Sequence, residues 1–85
     1  MAMRILYFAW VRERIGAAEE EVEPPAEVDT VAALIGWLAA RSDRHAAALS
    51  EPERLRAARD KDFVPLHTPI AGAREIAIFP PVTGG

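Results

Sequence analysis

The sequence predicts an α+β fold, a β-sheet with one main helix packed across it, from three observations. Strand-like apolar runs stand near both ends, Arg4-Ile5-Leu6-Tyr7-Phe8 and Glu75-Ile76-Ala77-Ile78-Phe79. Between them Val31, Leu34, Ile35 and Leu38 recur at i, i+3, i+4 and i+7, the spacing of one helical face. Prolines and glycines punctuate the remaining segments. A length of 85 residues predicts one domain, residues 1–85. A chain this size buries about 60–65% of its unfolded surface, which leaves one modest core and little room for an enclosed active site.

Taken in order, residues 4–8 are apolar on both faces after Arg4, as in a central strand. With Ile5 and Tyr7 turned toward the helix, Leu6 and Phe8 lie on the opposite face, open to a partner. Residues 10–15 read as a short helical turn ending at Gly16, a residue suited to the left-handed C-terminal position. Glu19-Glu20-Glu21-Val22-Glu23 before Pro24-Pro25 reads as a hydrophilic edge strand running into a turn; a docking patch for a basic partner is the functional alternative. Asp29 or Thr30 caps the main helix, which carries Trp37 at its apolar margin and a weak point at Gly36.

The middle of the chain is ambiguous. Ser42-Asp43 suits a cap, and by propensity residues 44–59 read as helix broken near Pro52. Residues 68–75 connect to the last strand, with Pro69 and Gly72 setting turns. That strand stops at Pro80-Pro81, neither of which donates a ladder hydrogen bond; both hold φ near −65° and fix an extended exit.

Composition narrows the function classes. Thirteen acidic against ten basic residues, a net charge of −3, argue against nucleic acid as a partner. The absence of cysteine removes disulfides, thiol nucleophiles and thiolate metal sites. No apolar run approaches twenty residues and no signal-peptide pattern stands at the start, so the expectation is a soluble, cytoplasmic protein without a membrane partner.

Self-contained catalysis finds no support. His45 and His67 lack the spacing of a metal pair and read as surface or loop residues. Asp60 and Asp62, two residues apart, read as a solvated hairpin rather than a general acid/base pair. Trp10 and Trp37 read as packing residues. No metal site, intrinsic cofactor, serine triad or phosphate-binding glycine loop is expected.

The most informative group is the carboxylate of Gly85, presented by Phe79-Pro80-Pro81-Val82-Thr83-Gly84-Gly85. A chance terminal diglycine is expected at roughly one in 200. Without Cβ atoms the tip can enter a channel that excludes side chains. From Pro81 onward the chain could reach about 17 Å.

This ending, with the opening Ile5-Leu6-Tyr7-Phe8-Ala9 and Val11-Arg12-Glu13, resembles the small sulfur-carrier subunit of molybdopterin synthase, of the ubiquitin-like β-grasp sulfur-carrier family. The resemblance runs from Met3 to Gly85 and implies a β-grasp fold with a mixed sheet and a protruding tail at residues 80–85. It places a strand near residues 55–59, a turn at Asp60-Lys61 and a returning strand at residues 62–64, and this topology is preferred over the continued helix. Two departures bear on local shape. Arg59-Asp60 stands where members commonly show an apolar residue and Asn, and Ala73-Arg74-Glu75 follows Gly72 where members often carry Asp-Glu.

The resemblance further implies that Gly85 is adenylated by a ubiquitin-activating-like enzyme using ATP, that sulfur from a donor protein replaces the transient AMP as a thiocarboxylate, and that the large synthase subunit, in a heterotetramer, positions the pterin precursor for the sulfur. The chain is then no enzyme by itself. Gly84 gives access, and Pro80, Pro81, Val82 and Thr83 aim and anchor the tail. On a β-grasp sheet Phe8, Phe63 and Phe79 fall on the face away from the helix, as a docking surface beside the tail; the alternative is that one or more are covered internally. Two other functions stand beside this one: a sulfur carrier for thiamine or thiolated-nucleoside synthesis, and an interaction module that uses the aromatic face without the carboxylate.

Overall fold

Residues 2–81 are described by a computed structural model. The elements follow in the order β1 (Met3–Tyr7), α1 (Ala9–Ile15), β2 (Glu19–Val22), α2 (Val31–Ala39), α3 (Asp43–Leu49), a 3₁₀ turn (Pro52–Arg54), β3 (Arg56–Arg59), β4 (Asp62–Val64) and β5 (Glu75–Phe79). The strands form one mixed sheet in the order β2-β1-β5-β3-β4. The first and last strands are neighbours at its centre and run parallel, Ile5 beside Ile76 and Tyr7 beside Ile78, while the remaining pairs are antiparallel. This is the predicted α+β architecture.

Alternation along the strands separates two faces. Met3, Ile5, Tyr7, Ile76 and Ile78 point into the core, where they meet Val31, Leu34, Ile35 and Leu38 of α2, all fully buried. The i, i+3, i+4, i+7 stripe therefore does what its spacing predicts. Of the two candidate caps, Thr30 takes the position, and its Oγ1 accepts from the Ala33 N–H at 3.1 Å. The helical layer is shared: α3 packs against both α1 and α2, so α2 is the longest of three short helices rather than a lone one.

The ambiguous middle resolves in two parts. Ser42 caps α3, accepting from the His45 N–H at 3.1 Å, and the helix stops at Leu49, ahead of Pro52. The propensity for helix beyond that point is overridden, because β3 lies between β5 and β4 and its backbone completes their ladders. Asp60 and Lys61 both have positive φ, 48° and 76°, the signature of a two-residue hairpin turn. A non-glycine residue there is strained, and Asp60 offsets the strain: its Oδ1 accepts from the backbone N–H groups of Arg74 and Glu75 at 3.0 and 3.1 Å. Asp60 and Asp62 do not share a strand face, since Asp60 belongs to the turn. Gly72, at φ 79°, supplies the bend of a second turn, closed by the Ala73 N–H bonding to the Ile70 carbonyl at 2.9 Å.

His45 is not a surface residue. It is 9% exposed, and its Nε2 lies 2.6 Å from Oε2 of Glu20 while its Nδ1 lies 2.7 Å from Oγ of Ser42. The same Glu20 oxygen accepts from the Tyr7 hydroxyl at 2.7 Å. The edge-strand reading of residues 19–23 was thus half complete: Glu19 and Glu21 are solvated, but Glu20 and Val22 face the helices. His67 is exposed, as expected.

Candidate functional site

The face of the sheet away from the helices carries the alternate residues of each strand. Register places Leu6 beside Ala77, Ala77 beside Ala58, and Ala58 beside Phe63, so small side chains floor the centre of this face. Phenylalanines stand around that floor. Phe8 follows β1 directly, Phe79 ends β5 and Phe63 projects from β4; the last two rings lie 5.5 Å apart between centroids. Together these residues line an open groove of about 630 Å³ whose wall continues onto Pro80 and Pro81.

Exposure identifies this as a surface and not a core. Phe63 is 80% and Phe8 47% exposed, whereas Phe79 is half-buried. Single exposed apolar residues are ordinary, but three phenylalanines about one groove form a contiguous apolar patch, which is uncommon without an interaction. The internally covered alternative therefore fails for Phe8 and Phe63 and holds in part for Phe79. Val82, Thr83, Gly84 and Gly85 lie outside the described residues.

Other groove residues were not singled out from sequence. Ala58 and Ala77 became visible only through register, because alanine carries no pattern of its own. Lys61, the chain's sole lysine, reaches the groove from the tip of the β3–β4 hairpin. Ala9, at φ 53°, also lines it: the chain turns from β1 into α1 through a left-handed residue, which presents Phe8 at the rim.

Charge on this face is partly self-neutralised. Arg4, near the start of β1, lies 3.1 Å from Glu75 and 3.7 Å from Glu19. No group of His, Asp and Glu among the described residues is arranged to hold a metal ion, and no helix there is long and apolar enough to cross a membrane. Trp10 and Trp37 are partly buried against the core as packing residues, with Arg14 and Arg41 stacked over their rings at 4.5 and 5.3 Å. What the face can do is bind: an apolar floor, aromatic walls and a stiff Pro-Pro exit at one end.

Comparison with known proteins agrees with this geometry. The chain is 45% identical over 83 residues to the molybdopterin synthase sulfur carrier subunit of Escherichia coli, covering 98% of this chain and 99% of that protein. It is 37% identical to the molybdopterin synthase sulfur carrier subunit of Haemophilus influenzae over the same shares. The crystal structure of SAMP1 from Haloferax volcanii shares the fold, with a TM-score of 0.64 and 22% identity over the whole of both chains. The ThiS family model matches residues 5–85, from Ile5 in β1 to the diglycine, and the chain belongs to the ThiS family.

Proposed function

We propose that this chain is the sulfur-carrier subunit of a molybdopterin synthase, with the carboxylate of Gly85 as the group that carries sulfur. The observation that supports this most directly is the placement of the exit: the central strand β5 leaves the sheet through Phe79, Pro80 and Pro81 along the apolar groove. A partner seated on the groove is then positioned to receive the chain end. Because the sheet holds β5 on both sides, the exit direction is set by the rigid part of the fold.

The chemistry belongs to Gly85 and to partners. A carboxylate is a poor acyl donor, so an adenylating enzyme first joins it to the α-phosphate of ATP and releases pyrophosphate. The acyl-adenylate carries AMP as leaving group, and a sulfide equivalent from a donor protein displaces it to give the thiocarboxylate. The loaded chain docks on the large synthase subunit, where the terminal sulfur attacks the pterin precursor. Gly84 leaves the reacting carbonyl unobstructed, and Pro80, Pro81, Val82 and Thr83 aim it. The chain supplies no acid or base of its own, and the cytoplasm is the compartment in which ATP and these partners meet.

Intact mass tests the reading. Incubation with an adenylating enzyme, ATP and a sulfur donor is expected to exchange one terminal oxygen for sulfur, and deletion of Gly85 to abolish the exchange without altering the fold. Normal loading of the truncated chain overturns the assignment of Gly85.

A further inference from the structure

We propose that the surface this groove receives is apolar at its centre and bears carboxylates where it meets Arg56 and Lys61. The inference rests on the docking role just given to the groove and adds the chemistry of the partner.

It follows from which charges on the face are already satisfied. Glu75 and Glu19 are engaged by Arg4. Asp60 directs Oδ1 to two backbone N–H groups, and Asp62 lies off this face, on the side of β4 opposite to Phe63. The cations beside the phenylalanines are different. Lys61 lines the groove on one side of the Phe63–Phe79 pair, and Arg56, opposite Phe79 in register, lines an adjoining hollow that shares both rings. Both are exposed, and among the described residues neither has a carboxylate within ion-pairing distance. Arg56 spends one guanidinium nitrogen on the Leu55 carbonyl at 2.8 Å, which holds its charge in place without neutralising it.

The face is therefore polarised. Its β2 edge presents the carboxylate of Glu21, and its β3–β4 edge presents Arg56 and Lys61. The overall charge of −3 does not provide this attraction, because beyond about 8–10 Å salt screens it. The two local cations do, at contact range. Complementary charge around an apolar centre fixes orientation and accelerates productive encounter more than it deepens final affinity. Here orientation matters, since only one way of seating the partner meets the chain where Pro80 and Pro81 leave the groove.

The test measures association of the full chain with the large synthase subunit by surface plasmon resonance across a range of salt concentrations. Lys61→Glu and Arg56→Glu are each expected to slow association about three- to tenfold at low salt, with a smaller change in dissociation, and to flatten its salt dependence. Lys61→Arg should retain the wild-type rate. Arg44→Glu, on α3 in the helical layer, controls for the same change in net charge and should have little effect. Melting curves for each variant exclude loss of fold. Association of both reversals at the wild-type rate and with the wild-type salt dependence overturns the inference alone; failure of wild type to bind removes the docking role, and the inference with it.

Discussion

The imidazole of His45 on α3 lies 2.6 Å from the carboxylate of Glu20 on the edge strand β2, and this contact ties the helical layer to the margin of the sheet. Glu20 also accepts from Tyr7 on β1, and Arg41 stands 4.0 Å away. An edge strand of four residues has one paired neighbour, so such a side-chain anchor strengthens an element that backbone bonds hold on one side only. Burial alone would raise the pKa of Glu20. Hydrogen bonds from His45 and Tyr7, with the charges of His45 and Arg41, outweigh it and hold the carboxyl below its ordinary 4.5. Burial, then the hydrogen bond to Glu20 and its charge, push the Tyr7 hydroxyl well up, so it remains a donor.

The sign of the resulting pH dependence is fixed. A carboxyl with a depressed folded pKa contributes stability that is full above its ordinary value and is lost as pH falls through the lower folded value. Glu20→Gln should lower stability near neutrality by about 1–3 kcal/mol, the range of hydrogen bonds to a charged group. Denaturant titrations of both proteins should then converge as pH falls through the ordinary 4.5 and on through the lower folded value. A gap that stays constant across that window would show that shape rather than charge is responsible.

Phe63 and Phe79 should separate binding from stability. Phe63 is 80% exposed, so Phe63→Ala should leave the folded state within about 0.5 kcal/mol while weakening binding to the large subunit. Phe79 is half-buried beside the Phe63 ring, and Phe79→Ala should cost about 1–2 kcal/mol of stability as well as affinity. Thermal melts and binding isotherms on the same preparations distinguish the two. If Phe63→Ala binds as tightly as wild type, the groove is not the docking surface.

Gly36 sits in α2 on the exposed side, where an added Cβ meets nothing within 4 Å. Gly36→Ala should therefore gain about 1 kcal/mol from helix propensity, raising the melting temperature by about 4–8 °C. An unchanged melting temperature would indicate that the helix around this position is held by its packing alone.

Asp60 combines a left-handed backbone with two hydrogen bonds to the segment entering β5. Asp60→Ala removes both bonds and the side chain that best tolerates that conformation, and should cost about 1–3 kcal/mol. Asp60→Asn keeps the carbonyl oxygen and should recover most of it. Amide exchange at Arg74 and Glu75 reports the change locally; protection that survives Asp60→Ala would place the anchor elsewhere.

Periodicity and punctuation made much of this molecule legible. The stripe of α2, the inward set Ile5, Tyr7, Ile76 and Ile78, the left-handed Gly16 and the stop at Pro80-Pro81 are local patterns with local causes. The diglycine, too, is a property of sequence. Where local signals conflicted, after Leu49, propensity favoured helix and the sheet prevailed, because β3 supplies hydrogen bonds to two neighbours at once.

What the sequence by itself determined, then, is the alternation of strands and helix, the faces each would bury and the chemistry of the chain's final residues. Tertiary structure alone decided the rest. Glu20 and His45, separated by 25 positions, meet only because β2 pairs with β1 beneath α3. The groove exists only because β4, at the far edge, turns Phe63 toward the end of β5 across two alanines that carry no pattern of their own. A one-dimensional pattern specifies which way a side chain faces; which side chains then share a face depends on strand order and register, which are set by pairings between distant segments.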